Sequence, residues 1–334
     1  MNRSISIPKF VRLGAAAAVL ALAGTMAGAT GAAAAGFPDQ AITIVVNWPA
    51  GGGQDTAARL IADYVAKNTS VPVVVSNVTG AGGAAGIRHV AEAAPDGYTI
   101  GIMGSSFVAR QYINPNATRL DQVEPLVFFG PDPGALEVRA DTGIKTVKDY
   151  IDRLKAKPGS ITNGNDAPGG SSYIVAALIE SKFGVKMTKV PYQGYAPTVA
   201  GLLAGEVQSA TLPVHQFVDQ YKAGTVNILG VASDERHFLV PDVPTFKEQG
   251  FDFVAGDWRA LFLPKGVPAD RVKALEELFY KTMSDPAFVE AGRKAGFVVT
   301  PMHAKETAAR IVETDEAIYP VLLEAGLVKT NKKQ

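Results

Sequence analysis

The sequence predicts an α/β protein of two domains, each a mainly parallel sheet flanked by helices, with a ligand cleft between them. Three observations carry that prediction. Short β-branched runs alternate with helical patterns from Ile42 to Ser233, the grammar of βαβ crossovers. The ends of those runs are rich in glycine, and in such sheets ligands bind outside the carboxyl ends of the strands. The chain also crosses twice, at Gly130-Pro131-Asp132-Pro133-Gly134 and back along Asp257–Pro264 (DWRALFLP). Residues 36–135 with 256–334 then form one domain and 136–255 the other, and a hinge can close the cleft between them.

Taken in order, Ile42–Val46 reads as a buried strand. Trp48, Pro49 and glycines 51–53 follow, then a helix over Asp55–Lys67 with Asp55 as N-cap. Strand, glycine turn and helix N-terminus collect free N–H groups and a positive dipole end, which is an anion site. A Walker loop needs Lys-Ser/Thr after its glycines. Gln54-Asp55 stand there instead, so a carboxylate suits the loop better than a phosphate. A plain turn whose glycines supply positive φ explains the stretch equally well. Val71–Ser76 is the next strand, Asn77–Gly83 a glycine loop, Ala84–Ala94 a helix, and Tyr98–Met103 a strand ending in Gly104-Ser105-Ser106.

The second domain repeats the pattern. Thr146–Lys155 is a helix capped by Thr146, and a strand around Ile161–Asn163 leads into the loop Gly164–Ser172. A helix over Tyr173–Phe183, a strand over Val185–Val190, the loop Pro191–Pro197 and a helix over Thr198–Ala204 come next. A strand over Val207–Leu212 runs into Pro213, His215 and Gln216, and Val226–Ser233 is the last strand of this half. Asp270–Met283, Pro286–Lys294 and Ala304–Ala325 are helices that complete the first domain.

Composition sets the address and excludes partners. Arg3, Lys9 and Arg12 precede a short apolar run, Leu13–Ala23, and small residues lead to Ala33-Ala34-Ala35: a secretory leader cleaved after Ala35. The apolar run is shorter than the roughly 20 residues that span a bilayer. No cysteine is present, which fits a bacterial periplasm. Basic and acidic residues balance at 32 each, and the leader removes only basic ones, so the processed chain is slightly acidic. That argues against nucleic acid as a partner.

Enzymatic constellations are sparse. The four histidines, His89, His215, His237 and His303, form no metal-ligand pair, and no G-x-S-x-G elbow occurs. A secreted hydrolase would have to pair His215 with Ser171 or Ser172. Gly80–Ala85 matches a loose dinucleotide fingerprint, but the strand ends several residues before it; its backbone suits a small anion better. What remains is a set of hydroxyls, amides and backbone groups at strand ends: Gln54, Thr79, Ser105, Ser106, Asn165, Ser171, Ser172, Gln193 and Gln216, with Trp48 and Tyr195 as walls.

Several blocks resemble one family, the extracytoplasmic solute receptors of tripartite tricarboxylate transporters, or Bug receptors. They are WPAGGGQDTAARL (48–60), SNVTGAGGAAG (76–86), PDGYTI (95–100), VPYQGYAPTVAGLLAGEV (190–207), PDVPTFKEQG (241–250) and DWRALFLPKGVP (257–268). The resemblance implies a type II-like, two-domain periplasmic binding protein, without catalysis or cofactor and acting as a monomer. It would close on a small organic carboxylate, citrate-like or dicarboxylic, and hand it to a membrane permease of one large and one small subunit. An aromatic acid of the phthalate type is the alternative ligand. Carried over, the ligand-binding positions are Trp48, Gly52, Gly53, Gln54 and Asp55 in the first loop, Gly80 and Ala81 in the second, and Ser105 and Ser106. From the other half come Asn165, Gly169, Gly170, Ser171, Ser172, Tyr192, Gln193, Gly194 and His215. The chain departs from the family at Gln54, Tyr173, Pro213 and His215, and the last three lie in the half that reads the distal end of the ligand. Arg259 reads either as a salt-bridging strand residue or as a charge partner for the ligand.

Overall fold

The computed structural model describes residues 36–333, so the leader and its cleavage point lie outside the described residues. Pro38–Gln334 packs as one compact unit around two five-stranded sheets. The first part of the chain runs β1 (Ile42–Val46), α1 (Gly53–Asn68), β2 (Val73–Asn77), α2 (Ala84–Ala91), β3 (Thr99–Met103), α3 (Ser105–Ile113) and β4 (Val123–Pro133). Then come β5 (Ala135–Arg139), α4 (Val147–Ala156), β6 (Thr162–Asp166), α5 (Ser171–Phe183), β7 (Thr188–Tyr192), α6 (Tyr195–Ala204), β8 (Ser209–Ala210), α7 (Val218–Lys222) and β9 (Val226–Val231). The chain returns through β10 (Gly256–Pro264) and ends in α8 (Ala269–Ser284), α9 (Pro286–Lys294) and α10 (Ala304–Glu324).

The first sheet has the order β2-β1-β3-β10-β4 and the second β7-β6-β8-β5-β9. In each, the first three strands are parallel and the last two pairings antiparallel. The expected parallel βαβ grammar therefore covers three strands of each sheet. The crossings explain the rest: β5 enters the second sheet straight from β4, β10 enters the first straight from the other half, and each runs against both neighbours.

Burial follows from position. β1 is central, and Ile42, Ile44, Val45 and Val46 are almost wholly inaccessible, as a strand covered on both faces requires. α1 lays Ala57, Ala58, Ile61, Ala62 and Val65 on that sheet at helical spacing. Prolines 131 and 133 lie in β4 and Pro191 in β7, both edge strands, where a missing N–H costs no ladder bond. For the same reason the Pro/Gly passage read as a connection is the end of β4, with β5 starting at once after Gly134. α3, which the sequence reading left as a strand end, is a nine-residue helix burying Phe107, Val108, Ala109 and Tyr112. The capping of α4 is as expected: Thr146 accepts from the Asp149 N–H and Asp149 returns the contact.

The two crossings run side by side. Gly134 donates to the Ala255 carbonyl at 3.0 Å and accepts from the Ala232 N–H at 2.8 Å. A methyl group on Gly256 would stand 2.5 Å from the Asp132 carbonyl oxygen and 2.7 Å from the Gly134 nitrogen. α10 adds a further link, because Ile318 and Leu322 pack with Ala109 and Tyr112 of α3 and with Ile174 of α5.

Candidate functional site

The first glycine loop behaves differently from the sequence reading. α1 starts at Gly53 with Gly52 as N-cap, so Asp55 lies inside the first turn and is not the cap. Its carboxylate reaches back to accept from the Gly51 N–H at 2.8 Å, from Arg59 at 2.9 and 3.0 Å and from Asn77 at 3.0 Å. Burial opposes its ionisation, but these donors outweigh burial and hold its pKa below the usual carboxylate range. Asp55 therefore organises the loop. Gln54 beside it is buried, and its Oε1 has no hydrogen-bond partner. Gly53 makes room for an arginine: a methyl there would come within 2.6 Å of Arg259 Nη2.

The helix N-termini at the strand ends are likewise already served. Ser105 opens α3, and both its N–H and its hydroxyl donate to Asp257 Oδ1 at 2.8 Å; Trp258 adds its N–H at 2.9 Å. At α5, whose N-cap is Gly170, the Tyr173 N–H donates to Asp166 Oδ1 at 2.9 Å, and the Asp166 N–H donates to the Ser172 hydroxyl at 2.8 Å. Burial pushes Asp166 up to about 6, partly countered by the Tyr173 N–H and reinforced by the charge of Asp257. Asp257 is also raised, by burial first, against the pull of Arg259.

Between these carboxylates stands a buried ion pair. Arg259 Nη2 donates to Asp132 Oδ2 at 2.8 Å, with both side chains 5% exposed. The other Asp132 oxygen faces His215 Nδ1 at 3.2 Å, while Gln216 Nε2 lies 2.7 Å from His215 Nε2. With the Gln216 amide donating, the proton of a neutral His215 sits on Nδ1, towards Asp132. Burial opposes the Asp132 charge, but Arg259 and then His215 hold its pKa well below the ordinary value. Arg259 is thus the salt-bridging strand residue of the two readings, although its Nε remains buried without an acceptor.

Tyr195 opens α6. Its hydroxyl shares a hydrogen bond with Ser171, and burial together with Asp257, Asp166 and Asp132 raises its pKa well above the ordinary phenol value. It thus feels carboxylates from both sheets. Arg110 of α3 completes the group: its guanidinium lies 5.9 Å from the Trp48 ring and senses Asp166 of the opposite half. The Ser–His couple of a hydrolase is not formed, since His215 faces Asp132 and Gln216, Ser171 faces Tyr195, and Ser172 accepts from Asp166.

Other expected positions fall as follows. Asn165, next to last in β6, is fully buried, with its Nδ2 donating to the Asn163 carbonyl and Oδ1 and its own Oδ1 unpartnered. Ser106 is buried in α3, and Gly169 packs against Ile113 of that helix. Gly80 and Ala81 are exposed and start the tight turn before α2. Tyr192 turns away, because its hydroxyl donates to Glu206 and its ring lies over Gly201. Gln193 is exposed, and Gly194 caps α6. Tyr173 faces a separate cavity of about 310 Å³ between α5 and α10, lined also by Glu180, Lys186, Lys189 and Glu324. Asp132, Asp166, Asp257 and Arg110 were not among the expected positions. Among the described residues no cluster of three or more potential metal ligands occurs, and no helix is long and apolar enough to cross a membrane.

Comparison with known proteins agrees with this architecture. Residues 57–327 match the family described as "Tripartite tricarboxylate transporter family receptor". A UPF0065 protein from the gbd 5′ region of Cupriavidus necator is 32% identical over 325 residues, covering 95% of this chain and 97% of that one. BugT of Bordetella pertussis is 29% identical over 285 residues, covering 84% and 87%. Among solved structures, the periplasmic binding protein BugD is 27% identical with a TM-score of 0.76, covering 88% of this chain and all of that one. MatC from Rhodopseudomonas palustris, solved with bound malate, is 26% identical with a TM-score of 0.71, covering 84% and 100%. With the two linked mixed sheets and the polar cluster at their strand ends, these matches place the chain: it belongs to the receptor family of the tripartite tricarboxylate transporters, the periplasmic solute-binding proteins that include the Bug receptors.

Proposed function

We propose that the protein captures an organic carboxylate in the cleft between its two halves, closes on it by a hinge, and delivers it unchanged to a permease of one large and one small membrane subunit. The observation that carries this reading is the convergence of groups from both sheets. Ser105, Arg110, Asp257 and Arg259 come from one half, and Asn165, Asp166, Ser171, Tyr195 and His215 from the other. A ligand that satisfies both sets favours the closed arrangement in proportion to its differential affinity for it. Two buried acceptors, Gln54 Oε1 and Asn165 Oδ1, and the buried donor Arg259 Nε have no protein partner, as expected of groups that a ligand completes. The malate bound to MatC supports the carboxylate class.

The test is a thermal-shift panel on the chain from residue 36 onward, refolded free of bound solute. It holds citrate, malate, succinate, glutarate, benzoate, terephthalate and neutral sugars. A ligand at 100 times its dissociation constant adds about 2.7 kcal/mol to native stability. One or more acids should raise the transition and be recovered intact by mass spectrometry. Stabilisation by neutral sugars alone, or conversion of the acid, sinks the reading.

A further inference from the structure

Of the two arginines that the cleft gathers, Arg259 is committed to Asp132. Arg110 is not. Among the described residues no carboxylate lies within 4 Å of its guanidinium, and no acceptor takes a hydrogen bond from it. The carboxylate whose charge acts on it is Asp166 of the second sheet. Five N–H donors on a largely enclosed cation with nothing to donate to is a costly arrangement unless something else fills it.

The surroundings are shaped to that cation. Its guanidinium lies on the backbone of Gly82, where a methyl group would come within 2.6 Å of Nη1, 2.7 Å of Nη2 and 2.8 Å of Cζ. Gly82 also holds a φ of +64°, a conformation that favours glycine. The Trp48 ring stands 5.9 Å from the guanidinium carbon.

The remaining charges of the cleft are already matched. Asp132 has Arg259 and His215, Asp257 has the Ser105 and Trp258 donors, and Asp166 has the Tyr173 N–H. A ligand carboxylate therefore finds one uncommitted cation in a site that also holds three carboxylates. Gln54 Oε1 and Asn165 Oδ1 call for a donor and Arg259 Nε for an acceptor, which a hydroxyl or amide group on the ligand supplies together. The Asn165 amide cannot be turned over, because its Nδ2 already donates to two acceptors at 3.1 and 3.0 Å, so Oδ1 requires a donor.

We propose that Arg110 receives one ligand carboxylate in a two-pronged contact beside Gly82 and Trp48, and that the cleft admits only that one. The ligand is then a monocarboxylic acid whose far end donates hydrogen bonds through a hydroxyl, ammonium or amide group. This narrows the carboxylate-receptor reading and rests on it. A guanidinium and a carboxylate match as two parallel N–H···O bonds, and an amide at position 110 cannot reproduce that fork. A second ligand carboxylate would lie against Asp132, Asp166 and Asp257.

Isothermal titration of the solute-free chain from residue 36 decides this with two matched sets. One is 4-hydroxybutyrate, 4-aminobutyrate and succinate; the other is 4-hydroxybenzoate, 4-aminobenzamide, benzoate and terephthalate. In at least one set the monoacid with a donor binds about tenfold or more tighter than the diacid. Arg110→Gln weakens that binding by about tenfold or more without lowering the melting temperature of the unliganded protein, since it removes a cation that makes no hydrogen bond or close ion pair among the described residues. Gly82→Ala keeps Arg110 but crowds its guanidinium, and weakens binding in the same direction. Diacids binding as tightly as the hydroxy and amino acids overturn the proposal. So does Arg110→Gln with unchanged affinity, or a neutral 4-aminobenzamide that binds as well as 4-hydroxybenzoate. Acids that bind without help from Arg110 leave the receptor reading standing, whereas no acid binding the wild-type protein sinks both.

Discussion

Asp166 and Asp257 do for α5 and α3 what no residue at the start of either helix does. Gly104 and Gly170 stand at the N-caps without a side chain to offer, and the carboxylates arrive from β10 and from the end of β6. Ser105 and Ser171 were legible in the sequence because hydroxyls at strand ends invite that reading. Asp257 was not, because it is 152 residues from the N–H it accepts. Asp166 stood in GNDAPGG, where an aspartate passes for a turn former. Its environment makes a pH prediction. Burial and Asp257 lift its pKa to about 6 from an ordinary 3.8, so between about pH 4 and about 6 the folded chain holds a proton that the unfolded chain has released. Stability from this group falls as pH rises through that window and is level above it. Wild-type protein should therefore gain more thermal stability than Asp166→Asn on going from pH 7 to pH 5. Parallel calorimetric scans with equal slopes would show Asp166 titrating like a surface carboxylate.

At the scale of elements, the strands β5 and β10 decide both the topology and the site. The run Asp257–Pro264 was legible as a returning strand from its alternation, and Ile42–Val46 as a buried one, because a short apolar β-branched run survives any tertiary context. The antiparallel insertion was not legible, since alternation along one strand carries no information about its neighbours' direction. β10 lies between β3 and β4, and this places Arg259 beside Asp132, which belongs to the Pro/Gly passage that reads locally as a linker. Both side chains are nearly inaccessible, so removing one strands the other. Asp132→Ala should cost about 3–5 kcal/mol in urea unfolding. Adding Arg259→Met to that variant should restore part of the loss, giving a double-mutant cycle far from additive. Additive losses would mean that the pair contributes as two independent contacts.

At the scale of the whole molecule, the paired crossings and α10 link the two halves, and under the proposed closure they set how the cleft opens. The cluster of Ile318, Leu322, Tyr112, Ala109 and Ile174 draws on both halves and resists wide separation, so the proposed closure is expected to bend where the strands cross. There the chain runs through Gly134 and Gly256, with the Gly134 N–H bonded to the Ala255 carbonyl. Small residues are needed at this place for close approach, because the three nearest neighbours of a methyl on Gly256 would be backbone atoms, 2.5, 2.7 and 3.0 Å away, that cannot swing aside. Gly256→Ala should therefore force the crossings apart, at about 1–3 kcal/mol of overpacking. It should also misplace Asp257, the next residue, which caps α3 at the cleft wall. Small-angle scattering on wild-type protein should show a fall in radius of gyration when a bound acid is added, and the variant a smaller fall together with weaker binding. A variant that loses stability yet closes and binds as the wild type does would move the hinge away from Gly256 and leave α10 as the element that controls opening.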